Sequence, residues 1–185
     1  MTAPTLPEVS QAIGDLLRQE EIATLATIDD DGAPSASTMH IAADGFSVYV
    51  HTFTYNRKYT EMLTEPRVSY AVAHLGSYEE RFQVYSLQVK GRAKLLTDPA
   101  DIGRAVQVST EQFPWLADTS MYDNIKTPDD YSQQVFFRID PISALWTDNR
   151  VRLLWRTILE FTPDGSSATT MRPYDEVVGR RTAQH

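Results

Sequence analysis

The chain of 185 residues contains no cysteine. This absence excludes disulfide bonds, thiolate catalysis and cysteine-ligated zinc or iron–sulfur centres within it. The sequence also has no apolar run long enough to span a bilayer, and no basic region followed by an apolar stretch near residue 1. We therefore expect a cytoplasmic protein that does not use a membrane as a partner.

Positive charge is also scarce, with 17 Lys and Arg against 25 Asp and Glu and a formal net charge of -8. Such a chain repels nucleic acid and anionic membranes, so neither is expected as a partner, although a small anion can still bind at a local cationic site. The sequence has no GxGxxG or Walker-type loop and no His, Asp and Glu cluster with metal-ligand spacing. We expect no metal site.

Alternation of apolar and polar residues predicts strands along most of the chain. The predicted strands are Ile22–Ile28, Pro34–Ala42, Phe46–Phe53, Arg67–His74, Gln83–Leu96, Val135–Ile139, Ala144–Thr147, Arg152–Phe161 and Ala168–Arg172. Two turns that end in Asp-Gly pairs, at Asp29–Gly32 and Asp44-Gly45, predict that the first three strands form an antiparallel meander.

Helices are few. The apolar pattern predicts one over residues 7–20, a short one over Lys58–Thr64 and another that starts at Asp98-Pro99. Residues 114–134 are polar and predict a long loop or lid, and the tail after Tyr174 is expected to be mobile. These elements predict one domain over residues 1–185, with its core at about 22–172. Many short antiparallel strands indicate a mainly β fold, a closed or nearly closed barrel with flanking helices.

Arg57 and Lys58 stand side by side where the short helix begins, just after the strand that ends at Phe53. The first amide groups of a helix and the positive end of its dipole favour an anion. Arginine adds a flat bidentate donor, and lysine adds a movable point charge. The pair, with Asn56, predicts a phosphate site, and the alternative is an exposed charged pair of the ordinary kind.

Four motifs together resemble a known family. They are His51-Thr52 at a strand end, Arg57-Lys58, Glu65-Pro66-Arg67-Val68 and the run Val89-Lys-Gly91-Arg-Ala. Their order and spacing are similar to those of the split-barrel flavoproteins related to pyridoxamine 5'-phosphate oxidase, from about Ile22 to Phe161. The resemblance implies a split β-barrel that binds FMN.

The resemblance also implies which residues hold the cofactor. Thr52, Arg57 and Lys58 keep the family spacing of residues that hold FMN, and His51 replaces an aromatic residue of the family. The strand from Ser35 to Ile41 would run along the isoalloxazine ring, so that Thr38, Met39 and His40 contact it. Each of these residues also has a plain structural role open to it, since a methionine commonly packs and a strand histidine is commonly structural.

A second match lies near the C-terminus. The family has a tryptophan and, ten residues later, the final arginine of an R-L-H-D-R motif, and both reach the FMN of the other subunit. Trp146 and Arg156 have this separation, and the motif reads Arg152-Leu-Leu-Trp-Arg156. The resemblance therefore implies a homodimer. On the predicted strand, Arg152 and Arg156 share a face and could meet one anion.

Several positions depart from the family. Leu154 and Trp155 replace the histidine and aspartate of the motif, so that Arg152, Leu154 and Trp155 become the candidate substrate contacts. No cation occupies the predicted strand that precedes the strand of His51. Ser86 stands where the family has a glutamine, and Gln88, two residues further on, is an imperfect replacement. These departures predict an FMN protein with an apolar substrate pocket, and not an oxidase of pyridoxamine phosphate. They identify no catalytic residue.

Three functions remain open. The first is an FMN-dependent oxidoreductase that acts on an unidentified small molecule. The second is a deazaflavin-dependent reductase on the same barrel, with the anionic tail of the cofactor on the basic row Lys90, Arg92 and Lys94. The third is a non-catalytic module that binds flavin or haem.

Overall fold

The computed structural model describes residues 3–122, 125 and 133–182. These residues form four α-helices, a 3₁₀ helix at Pro114–Asp118 and nine strands. The helices are α1 Leu6–Gln19, α2 Arg57–Thr64, α3 Pro99–Gln112 and α4 Tyr174–Thr182. The strands are β1 Ile22–Ile28, β2 Pro34–His40, β3 Ala42–Asp44, β4 Ser47–Phe53, β5 Arg67–His74, β6 Tyr85–Leu95, β7 Gln134–Asp148, β8 Arg156–Phe161 and β9 Ala168–Pro173.

All nine strands belong to one antiparallel sheet in the order β2-β1-β5-β6-β7-β4-β3, with β8 between β7 and β9. Strands β2 and β3 stand at opposite ends of this order, yet only Ile41 separates them in the chain. The sheet must therefore curl back on itself. Because β2 forms no ladder with β4 among the described strands, the barrel is open there. The predicted mainly β split barrel is confirmed.

Alternation along β4 directs its side chains to two different clusters. Val48 and Val50 belong to the larger buried cluster, which also contains the inner face of α1. Tyr49 points the other way, into a second cluster that joins β4 and β7 to α3. The outer face of β4 is thus covered by α3, and this cover forms one wall of the site described below.

The predicted meander is wrong in its third strand. Asp44-Gly45 does turn the chain, but between β3 and β4, and β4 then pairs with β7, with Val48 opposite Ile139. The partner of β4 lies about ninety residues away in the sequence, as this register shows. Local turn residues cannot report such a pairing, because they determine only the hairpin next to them.

Strand β7 is continuous where two separate strands were predicted. Pro141 lies within this strand, and the register between β6 and β7 shifts at Lys90 and Gly91, opposite this proline. A bulge accommodates a residue that cannot donate a ladder hydrogen bond. Gly91 permits the close approach, since a Cβ there would lie 2.7 Å from the carbonyl oxygen of Asp140.

The C-terminal region differs from the prediction in two places. Strand β8 begins at Arg156, and Arg152 lies in the preceding turn, where Leu154 has a φ of 59°. Arg152 and Arg156 therefore do not share a strand face. A helix, α4, follows β9 where a mobile tail was expected, with Asp175 and Glu176 in its first turn, where acidic side chains are stabilising.

The predicted loop over residues 114–134 is described only in part. It contains the 3₁₀ helix, and residues 123, 124 and 126–132 lie outside the described residues. In the part of the chain that the structure describes, no helix combines the length and apolar character that crossing a membrane requires.

Candidate functional site

The opening between β2 and β4 holds a cleft of about 280 Å³, here called the β2–β4 cleft. Strand β2 forms one side with Thr38, Met39 and His40, and β4 forms the other with His51 and Thr52. The split in the barrel creates this cleft, because the two strands face each other without pairing. The structure therefore brings together the five strand residues that the resemblance implied as cofactor contacts.

Helix α2 begins at one end of the cleft, where Asn56 and Lys58 contribute to the lining. Asn56, the N-cap residue, makes no side-chain capping hydrogen bond, and its amide group donates instead to Thr52 Oγ1 at 3.2 Å. The first turn has no acidic residue. Lys58 and the positive end of the helix dipole thus give this end of the cleft a local positive charge in an acidic protein.

Arg57 is placed differently from its neighbour. It does not line the cleft, and its Nε lies 2.9 Å from Oε1 of Glu61, one turn further along α2. The arginine side chain is 65% exposed, whereas that of Glu61 is 4% exposed. Lys58 is therefore the cation that faces the cleft in one chain, and Arg57 lies beside it in an ion pair.

An aromatic wall closes the far side of the cleft. It comes from residues 113–122, here called the aromatic segment, through Phe113, Trp115, Leu116, Met121 and Tyr122. His40 meets the rings of Phe113 and Trp115 edge-on, with centroids 5.7 and 6.1 Å apart. The described first part of the predicted loop thus covers the site.

His51 lies among three aromatic rings, those of Phe53, Tyr122 and Phe136, at centroid distances of 5.3 to 5.4 Å. Burial lowers the pKa of its imidazole below the ordinary value, and a hydrogen bond with Gln134 opposes this shift. The ring is consequently neutral at pH 7. Among the described residues its Nε2 is buried without a hydrogen-bond partner, which is costly unless a ligand supplies one.

The remaining predicted residues lie away from this cleft within one chain. Gln88 and Lys90 line a separate cavity of about 320 Å³ between the sheet and α4. Trp146 is 1% exposed and belongs to the core, not to an open surface.

The three candidate substrate residues lie together with Arg156, a candidate cofactor contact. Arg152, Leu154, Trp155 and Arg156 line a cavity of about 220 Å³ near α4. Arg156 lies over the ring of Tyr174, at 4.0 Å, and 3.5 Å from Asp175. Leu154 is exposed, whereas Trp155 is buried.

Two features of the site were missed from the sequence. Glu61 was not predicted as a site residue, although its i, i+4 spacing from Arg57 is typical of an ion pair. Residues 114–122 of the aromatic segment were predicted as polar loop, although Trp115 and Tyr122 supply large rings there. Within residues 3–122, 125 and 133–182, no group of three or more His, Asp or Glu side chains could hold a metal ion.

The fold is similar to solved structures. A heme binding protein from Mycobacterium smegmatis has a TM-score of 0.62 at 16% identity; 80% of this chain is covered, but only 55% of the length of that protein. The conserved hypothetical protein Rv2991 from Mycobacterium tuberculosis also has a TM-score of 0.62, at 20% identity over 80% of this chain and 87% of that one. A FAD-binding protein from Mesorhizobium loti has a TM-score of 0.53 at 24% identity, over 73% of this chain and 89% of that one.

No curated protein matches the chain significantly. The family model described as pyridoxamine 5'-phosphate oxidase, however, matches residues 9–144, which include β1 to β6 and most of β7. The match thus contains both strands of the β2–β4 cleft and helix α2 at its end. On this evidence the chain belongs to the pyridoxamine 5'-phosphate oxidase family.

Proposed function

We propose that this protein binds FMN in the β2–β4 cleft and acts as an FMN-dependent oxidoreductase on a small molecule. One observation carries the proposal: the cleft joins a cationic helix start to a slot between aromatic rings. A flavin phosphate and a flavin ring need those two environments in one continuous site.

The phosphate end is supported by its donors. Lys58 and the uncapped first turn of α2 offer positive charge and free amide groups, and Arg57 adds a second cation beside them. A phosphate is held well by such a combination, since charge-assisted hydrogen bonds contribute about 1.5–3 kcal/mol each. Thr52 and Asn56 already hydrogen-bond each other and hold the strand end against the helix start.

The ring end is supported by its shape and polarity. FMN supplies hydride transfer at its ring system, and the protein supplies the surroundings. Met39, Trp115 and Tyr122 would exclude water from such a ring, and the neutral His51 can exchange a hydrogen bond with a polar ring edge. The buried, unpartnered Nε2 is the atom of the described cleft that most needs a ligand partner.

The substrate is proposed to be small and less polar than pyridoxamine phosphate. Strand β2 has no arginine or lysine that could hold a substrate phosphate, and Leu154 stands where the family motif has histidine. A site that lacks the polar partners of a substrate discriminates strongly against it.

Titration of the purified protein with FMN should quench flavin fluorescence with one site per chain. The complex should show flavin absorbance bands that bleach when a nicotinamide donor or another small reductant is added. A protein that stays colourless with FMN, but binds a deazaflavin, would overturn the proposal. In one chain the row Lys90, Arg92 and Lys94 lies on the outer face of β6 and not in the β2–β4 cleft, which favours FMN over that alternative.

A haem-binding role is the second candidate, because two histidines, His40 and His51, line one cleft. Neutral imidazole is a common iron ligand. The similar protein from Mycobacterium smegmatis is a heme binding protein. A Soret band in freshly purified protein, or one that appears on addition of hemin and disappears in a His51→Ala variant, would favour this role over the flavin.

The functional unit is proposed to be a homodimer. Arg156 and the exposed residues Leu153 and Leu154 lie away from the cleft of their own chain, where a partner's cleft could meet them. Sedimentation should therefore give a species near twice 20.9 kDa. A stable monomer that holds FMN would contradict this arrangement, because Arg156 would then have no cofactor within reach.

A further inference from the structure

Glu61 is a buried carboxylate directly behind the cationic start of α2. Its side chain is 4% exposed. Thr27 Oγ1 donates to Oε2 at 2.5 Å, and Ser35 Oγ donates to Oε1 at 3.1 Å. Arg57 Nε lies 2.9 Å from the same Oε1. Thr27, Ser35 and Arg57 all present donors to Glu61, which is the environment that an ionised carboxylate requires.

The position of Glu61 lowers the net positive charge at the end of the cleft where α2 begins. Arg57 and Lys58 contribute two positive charges, and Glu61 contributes one negative charge, so that one net positive charge remains. An uncompensated pair would suit a phosphate monoester, which carries about two negative charges at neutral pH. A buried carboxylate is also weakly screened, so solvent and salt reduce its effect less than that of a surface charge.

We infer that Glu61 determines the charge selectivity of the cleft. Its negative charge lowers the affinity for FMN, whose phosphate monoester is doubly charged, relative to riboflavin, which lacks the phosphate. This inference rests on the proposed flavin site and names a residue that sets its ligand preference. Glu61 acts through the electrostatic effect of its carboxylate on Arg57 and on a bound phosphate. Glu61 is not among the residues that line the β2–β4 cleft, so it acts at a distance from the proposed ring site.

Two effects of Glu61 oppose each other, and their sizes decide the direction. The first effect is that Glu61 holds the Arg57 side chain in place, which is worth at most about a tenfold gain in affinity for the phosphate. A glutamine at this position keeps an oxygen that can still accept from Arg57 Nε. The repulsion between this carboxylate, which lies 2.9 Å from Arg57, and a dianion bound at the start of the same helix is expected to be larger, since each unit pair contributes about a tenfold step or more at a protein surface. The charge effect should therefore prevail.

The test compares FMN with riboflavin, which lacks the phosphate, in Glu61→Gln. We expect the variant to bind FMN about tenfold more tightly and riboflavin within about twofold of the parent. The hydroxyls of Thr27 and Ser35 can rotate to accept from the new amide, so the fold should tolerate the change.

Glu65→Gln is the matched control. Glu65 is on the C-terminal cap of the same helix and pairs with Arg67 at 2.6 Å, so the variant removes the same charge at the far end of α2. Its FMN affinity should match that of the parent. The inference is wrong if Glu61→Gln leaves FMN binding unchanged or weaker, if riboflavin gains as much as FMN, or if Glu65→Gln has the same effect.

Failure of the proposed function has a different signature, because the parent would then bind neither FMN nor riboflavin. Inorganic phosphate is the probe in that case. It should raise the melting temperature of Glu61→Gln more than that of the parent or of Glu65→Gln. Equal shifts in all three proteins would overturn the charge role of Glu61 independently of any flavin.

Discussion

Replacing Arg57 and Lys58 together with alanine is expected to weaken FMN binding by at least about a hundredfold. The double variant loses two charge-assisted contacts to the phosphate, each worth roughly 1.5–3 kcal/mol. Riboflavin should bind the variant within a few-fold of the parent, because the aromatic wall and the histidines that face the ring are unchanged. Fluorescence titration with both flavins measures the difference directly.

The two residues should not contribute equally. Lys58 lines the β2–β4 cleft, whereas one edge of the Arg57 guanidinium is turned toward Glu61. Lys58→Ala alone should therefore cost more FMN affinity than Arg57→Ala alone. The control is Arg92→Ala/Lys94→Ala, which removes the same charge from exposed positions on β6. If the Arg57 and Lys58 double variant binds FMN as tightly as the parent, the phosphate is held elsewhere.

The barrel could be predicted from the sequence because its signals are local. Alternation in β1 and β5 located both strands with the bounds that the structure shows, and Asp44-Gly45 marked a real turn. The pairing of β4 with β7 was beyond such signals, since no local residue specifies a partner so far away in the sequence. The continuity of β7 past Pro141 was beyond them for a related reason, because the bulge that accommodates this proline depends on Gly91 of another strand.

The candidate site, like the fold, could be predicted only where its residues are close together in the sequence. The family resemblance predicted His51, Thr52 and Lys58 together because its motif is continuous in sequence, and all three line one cleft. The sequence could not show that Arg57 is paired with a buried Glu61, since burial of that carboxylate depends on Thr27 and Ser35 from other strands. Nor did apolar alternation show that Arg152 leaves the strand of Arg156, because the turn is held by a side-chain contact, in which Leu154 N donates to Asn149 Oδ1.

Trp146 presents the sharpest difference between the family motif and the structure. The motif implies a contact with the flavin of the partner chain, whereas the ring is 1% exposed in its own chain. It lies opposite Leu87 in the ladder between β6 and β7 and near the ring of Tyr85, at 6.0 Å. A tryptophan in this position stabilises the barrel by burial.

Trp146→Ala is therefore expected to lower the free energy of unfolding by about 3–5 kcal/mol, the range for removing a large aromatic side chain from a packed core. Urea unfolding of the apo-protein measures this loss. Trp115→Ala is the control, since Trp115 is 46% exposed on the cleft and its removal should cost little stability but weaken flavin binding. The milder Trp146→Phe should keep FMN affinity within a few-fold of the parent if the ring acts only in the core. A Trp146→Ala variant as stable as the parent, with FMN affinity lost, would instead place the tryptophan at the cofactor, as the family motif implies.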